Sequence, residues 1–272
     1  GLSLAYLLAG GVALVCYLWS PVAGSTWLFE LTGLSAAVAI AVGVVRYRPR
    51  PVVPWALFVV AQLVFVSGDF FYYTYDLSFP SAADALYIGY YPLQAAGLVL
   101  LIRSRTPGRD SASLLDALII TVGLGLLSWI YLIEPYTRHL GDSVLSRLVS
   151  MAYPAMDVLL LAVAARLVMG NGSRPRSFQL LTASILILVV TDVVYGAIEL
   201  NGSYTLGSWL DLGWMGAYVL WGAAALHPSM TQLSARAAAA RASLRARRLP
   251  RLAAPAVVGR ARVFRRTTPR SL

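Results

Sequence analysis

The sequence contains no lysine; all 22 of its basic side chains are arginine. A retinal chromophore is carried as a Schiff base on a lysine amine, so a rhodopsin-type photoreceptor is excluded. One cysteine, Cys16, leaves no intrachain disulfide and no paired-cysteine metal site. The two histidines, His139 and His227, fall on opposite sides of the topology read below, so they cannot supply both axial ligands of an intramembrane haem. Aspartyl-protease, Glu-Glu, His-Glu-x-x-His, phosphate-loop and nucleophile-elbow motifs are all missing. No catalytic residue, metal or cofactor is therefore assigned, and an enzyme is not expected. Charge is scarce as well, at 12% of residues against 58% hydrophobic, far from the quarter-charged mixture of a soluble domain.

The apolar residues come in blocks of about 20, the length at which a helix spans a bilayer core. Hydropathy places eight helices at about 2–19, 27–45, 53–74, 84–102, 112–133, 144–169, 177–200 and 208–226. Short turns rich in Pro, Gly and Ser separate them, as in Arg46-Tyr-Arg-Pro-Arg-Pro51. The fold class read from this pattern is an all-α polytopic membrane bundle over residues 1–228. A tail over 229–272 follows, rich in Arg and Ala, partly helical or disordered.

The net charge of +10 resides in that tail: eleven arginines lie between Arg236 and Arg270 with no acid, while the body is near neutral. A nucleic-acid partner is not expected. Arg241, Arg245, Arg247 and Arg248 are instead placed to meet anionic lipid at a cytoplasmic leaflet. The turns after the second, fourth and sixth segments hold three, three and two arginines, and the opposite turns almost none. Arginine accumulates in the cytoplasm, so both termini are expected there, in a bacterial plasma membrane.

An echo recurs at a spacing of about 125 residues. Asp69-Phe-Phe-Tyr72 in the third segment answers Asp192-Val-Val-Tyr195 in the seventh. Asp84-Ala-Leu-Tyr-Ile-Gly89-Tyr-Tyr91 opens the fourth, and Asp211-Leu-Gly-Trp-Met-Gly216-Ala-Tyr218 the eighth. Four helices per unit make the repeats parallel.

Ionisable side chains inside a membrane helix cost about 2.5–3.5 kcal/mol each on insertion scales, so each needs a reason. Asp84, Asp116 and Asp211 lie three residues after Ser81, Ser113 and Ser208, the spacing of a capping box. Asp69 and Asp192 lie deeper, and their bland role is interhelical hydrogen bonding. The sharper reading gathers Asp69, Tyr72, Asp84, Tyr91, Asp192, Tyr195, Asp211, Trp214 and Tyr218 around an extracytoplasmic pocket. Carboxylates and aromatic faces there would take a small cationic, polyhydroxyl or lipidic ligand. Asp157, near mid-membrane, needs a partner from another helix, and Arg147 needs an acid such as Glu134 or Asp142. Tyr91-Pro92 and Tyr153-Pro154 set proline inside two helices, where it shapes packing.

Five stretches carry a family resemblance: Phe79-Pro-Ser-Ala-Ala-Asp84 running into Gly89-Tyr-Tyr-Pro-Leu, Arg109-Asp-Ser-Ala-Ser-Leu-Leu-Asp-Ala-Leu118, Tyr153-Pro-Ala-Met-Asp-Val-Leu-Leu-Leu161, Leu210-Asp-Leu-Gly-Trp-Met, and Leu226-His-Pro-Ser-Met230. Together they resemble the amino-terminal multi-pass region of actinobacterial GGDEF/EAL signalling proteins. The resemblance implies a sensory input module of the kind attached to cyclic di-GMP turnover domains. Neither Gly-Gly-Asp-Glu-Phe nor Glu-Ala-Leu occurs in these 272 residues, so that chemistry is not carried over. The implied partners are the bilayer, a small ligand, and a cytoplasmic signalling partner or a second copy. A small-molecule transporter and a membrane scaffold are the alternatives.

Overall fold

A computed structural model describes residues 1–20, 22–75, 77–105, 111–138, 143–170, 173–200, 202, 204–205 and 207–233. The tail arginines Arg241, Arg245, Arg247 and Arg248, together with His139 and Asp142, lie outside the described residues. The order is α1 (Leu2–Trp19), α2 (Val22–Tyr47), α3 (Val53–Tyr75), α4 (Ala82–Arg105), α5 (Ser111–Ser128), α6 (Glu134–Arg138), α7 (Val144–Met169), α8 (Arg176–Glu199) and α9 (Asp211–Ala225). A π turn, Trp129–Ile133, joins α5 to α6, and a 3-10 turn, Pro228–Leu233, follows α9. Pro135 lacks the amide that would continue the i−4 ladder, and the chain bridges the gap with a wider turn in which Glu134 N–H bonds Trp129 O. No strand occurs among the described residues.

Seven spans among the described residues are long and apolar enough to cross a bilayer, with α5 and α6 forming one of them. Large aliphatic side chains such as Leu8, Val12, Leu115, Ile119 and Val122 stand exposed along α1 and α5, as lipid-facing surfaces require. The chain is a polytopic membrane helical bundle. The eighth segment differs from its expected length: α9 has 15 residues, about 22 Å at 1.5 Å per residue, short of a bilayer core of about 30 Å. Residues 207–210 form the turn that seats Asp211 and do not extend the helix.

Two ends of the bundle are distinguished by their turns. The arginine end carries Arg46, Arg48, Arg50, Arg103, Arg105, Arg174 and Arg176; the acidic end carries Asp84 and Asp211 at the first turns of α4 and α9. Below the acidic layer, Trp55, Phe58, Leu98, Leu101, Leu160, Leu167 and Leu181 fill an apolar core with no accessible surface to speak of.

Because lipid is as apolar as leucine, helices in a membrane are held by close packing and by hydrogen bonds. α9 shows both. A Cβ on Gly43 of α2 would fall on the backbone carbonyl of Ala225, one on Gly10 of α1 would fall on Val219, and one on Gly222 would fall on Tyr6. Ser3 Oγ donates to Ala223 O (2.8 Å), Ser177 Oγ to Ala224 O (2.7 Å) and Ser184 Oγ to Ala217 O (2.7 Å). α9 thus sits between α1, α2 and α8, buried on almost every side.

Candidate functional site

At the acidic end the capping prediction holds for one carboxylate and changes for two. Asp84 accepts the Ser81 backbone N–H (2.6 Å), and Ser81 Oγ accepts the Ala83 N–H (3.2 Å), which completes a capping box. Asp211 is 1% exposed, but its cap is the Gly207 N–H (2.9 Å), with Tyr17 and Tyr204 hydroxyls donating as well. Ser208 Oγ makes no bond to it. Ser113 lies inside the first turn of α5, because the described helix begins at Ser111, and Asp116 is exposed; neither stands where a box needs it. Tyr204, in the turn before α9, is held above the usual phenol range by burial and then by the neighbouring Asp211.

The deeper acids are paired by their own helical hairpins. Tyr87 Oη of α4 donates to Asp69 Oδ1 of α3 (2.8 Å), and Trp214 Nε1 of α9 donates to Asp192 Oδ1 of α8 (2.7 Å). Tyr87 and Trp214 each stand three residues after an aspartate in the first turn of their helix, so the sequence echo has a counterpart in these two matched contacts. The helices cross closely in both hairpins, over Gly68 against Tyr87 in one and Gly213 against Thr191 in the other.

The repeat reaches one helix further than the sequence reading took it. Asp69 is accompanied by Glu30 of α2, and Asp192 by Asp157 of α7. Asp157 is 5% exposed, and its carboxyl lies within hydrogen-bonding reach of Asp192 and Tyr91. Its Oδ1 faces no donor. The expected partner for Asp157 is therefore another carboxyl and a phenol, not a base. Two groups that only accept when ionised can share such a contact when a proton or cation lies between them.

Donors also cross between the halves. Tyr91 Oη of α4 reaches Asp192 Oδ2 of α8 (3.3 Å), and Tyr153 Oη of α7 reaches Asp84 Oδ1 of α4 (2.6 Å). Both tyrosines immediately precede the intrahelical prolines Pro92 and Pro154, through which α4 and α7 continue unbroken. Tyr195 packs its ring on Tyr204 (5.0 Å) and Trp214 (5.5 Å). Phe65 packs its ring against Tyr87 and Tyr90, each at 5.1 Å, and Tyr218 at 6.0 Å.

Of the nine expected site residues, eight meet in this layer. Tyr72 is on its rim, 42% exposed with its ring against Tyr73. The arrangement is not one open pocket lined by four free acids. Asp69, Asp84, Asp192 and Asp211 each accept from tyrosine, serine, indole or backbone donors, all of them neutral. What remains unsatisfied is specific: Asp69 Oδ2, Glu30 Oε1, Gln62 Nε2, Tyr218 Oη and Asp157 Oδ1 are buried without a hydrogen-bond partner. Such buried orphans are rare enough in folded proteins to ask for a proton, ion, water or ligand. Arg147 Nε is likewise buried without a hydrogen bond, and Asp142, one of the two acids expected to meet Arg147, lies outside the described residues. No group of three or more metal-ligating side chains occurs among the described residues.

Glu30, Gln62, Tyr17, Tyr87, Tyr153 and Tyr204 escaped the sequence reading. The echo could have found two of them, since Tyr87 stands where Trp214 does and Glu30 lies 127 residues before Asp157. Comparison with protein-family models, with curated proteins and with solved structures gives no match to this chain.

Proposed function

We propose that this chain is a membrane-embedded signal-input module whose responsive element is the layer of paired carboxyls at its acidic end. The arginine distribution orients that end away from the cytoplasm. One observation carries the reading: a single side chain, Asp192 of α8, is shared by Trp214 of α9, Tyr91 of α4 and Asp157 of α7. A change of charge on it is felt by four helices at once, and those helices continue to the arginine end. A signal needs two packings of similar energy that a ligand distinguishes. The ligand class is cationic, the proton included, because the site offers oxygen acceptors and aromatic faces without a countercharge. The resemblance to the membrane regions of GGDEF/EAL proteins supports the same reading, with the readout passed to a cytoplasmic partner.

Trp214 supplies a direct test, its emission isolated by subtracting the Trp214→Phe variant. In nanodiscs, acidification from pH 8 to pH 5 or addition of tetramethylammonium is expected to shift Trp214 emission in the wild type and not in Asp192→Asn. Unchanged wild-type emission under both probes overturns the proposal. The repeat and the proline-bearing helices also suit a transporter. Against that reading, the arginine half is packed with Trp55, Phe58, Leu98 and Leu160, and the buried serines Ser177 and Ser184 there spend their hydroxyls on backbone carbonyls of α9. Proteoliposome uptake of the same cation would decide for it.

A further inference from the structure

The repeat assigns each half a first helix and a fourth: α1 and α4, then α5 and α9. The first helix of one half pairs with the fourth of the other, as α1 packs along α9 through Gly10, Gly222 and the Ser3 hydroxyl. By the same symmetry α5 belongs against α4. It does not lie there; α5 rests on α7 and makes no comparable contact with α4. The missing contact is a cleft of about 360 Å³, walled by Leu114, Leu118 and Thr121 of α5 and Val99 and Ile102 of α4, with Val163 of α7 behind. Thr121 spends its hydroxyl on Ala117 O within its own helix (2.7 Å), so the walls offer water almost nothing to bond.

The mouth of the cleft has a different chemistry. Arg103, in the last turn of α4, and Arg166, in the last turn of α7, both line it at the arginine end. An apolar slot inside hydrocarbon, closed at its interfacial rim by two guanidinium groups, matches one occupant: an acyl chain below and a phosphate above. We propose that the α4–α5 cleft binds an anionic phospholipid, one chain taking the place that α1 fills in the other half and the phosphate lying on Arg103 and Arg166. The site is separate from the acidic layer, so the two readings stand or fall independently.

The test uses the full chain in mild detergent, titrated with phosphatidylglycerol or phosphatidylcholine of identical acyl chains and read by native mass spectrometry and thermal melting. The wild type is expected to retain phosphatidylglycerol at least tenfold more tightly and to melt higher with it. The double variant Arg103→Gln/Arg166→Gln should lose that preference while still admitting either lipid. Ala117→Phe, which fills the cleft from α5 and keeps both arginines, should block retention of both. Equal retention of the two lipids by the wild type, or undiminished preference in the double variant, overturns the proposal. So does a dimer that phosphatidylglycerol leaves intact and Ala117→Phe dissociates, because the cleft would then belong to a second copy.

Discussion

The two four-helix halves carry the same polar pattern on different packing. Each presents an acid from its second helix beside an acid from its third, Glu30 with Asp69 and Asp157 with Asp192. Each also returns a donor from its fourth helix, Tyr87 or Trp214. The halves part at their first helices, since α1 is fastened to α9 and α5 stands off from α4. The acids are thus retained where the helix contacts have diverged. In a membrane a carboxyl inside the bundle is expensive wherever it lies, and each half carries a pair of them, with Asp69 and Asp157 buried.

The sharpest way to break the comparison is at the first helices. Gly10→Leu should drive a side chain into Val219 and cost about 1–3 kcal/mol through overpacking, seen as a lower melting temperature or loss of monodisperse protein. Gly123→Leu in α5 meets nothing within 4 Å and should leave melting unchanged or slightly raised. Equal losses would mean that α5 is packed as tightly as α1.

The cross-half tyrosines give the next effect. Tyr153→Phe leaves Asp84 Oδ1 without its donor and is expected to cost about 2 kcal/mol. Tyr17→Phe leaves Asp211 still held by Gly207 and Tyr204 and should cost about half as much, as denaturant or thermal unfolding in detergent would report. A smaller gain is expected at the acid pairs: Asp192→Asn removes one of two adjoining carboxyls and brings a donor within reach of Asp157, which should raise stability by about 1 kcal/mol, more than Asp69→Asn does. A fall in melting temperature for Asp192→Asn would argue for an ion held between the two carboxyls.

The weakest effect lies at the arginine end. His227 Nδ1 accepts the Ser229 N–H (3.1 Å), and partial burial, then the charge of Arg176, lower its pKa below the ordinary value of 6.5. The folded protein then binds fewer protons than the unfolded chain between the two pKa values, so stability falls as pH drops below about 6.5. Melting scans from pH 7.5 to 5 should show a small loss that His227→Gln removes.

Hydropathy read the helices to within a few residues because twenty consecutive apolar side chains have few other meanings. It overestimated the last helix, since Ser208, Trp209 and Leu210 are as compatible with a helix as with the turn that carries Gly207 N–H to Asp211. The echo identified Asp69 and Asp192 correctly as related positions. What it could not give was the third dimension: Tyr153 looked like the neighbour of a kink, yet its hydroxyl reaches a carboxylate 69 residues away in the chain. Glu30 lay in plain view, but a lone glutamate in an apolar run has no signature until Asp69 is brought beside it.

The position of α9 bears on how the protein is made. Its seat is built partly from α1 and α2, and Ser3 meets Ala223 across 220 residues of chain. While the ribosome is still producing α3 to α8, the first two helices face a slot with exposed serines and glycines. A helix of 15 residues is too short to hold a transmembrane position by its own hydrophobicity. Any state of the chain in which α9 has not docked therefore leaves Ser3, Gly10 and Gly43 uncovered, and it is the seat on α1 and α2, more than its own apolarity, that holds so short a helix in the bundle.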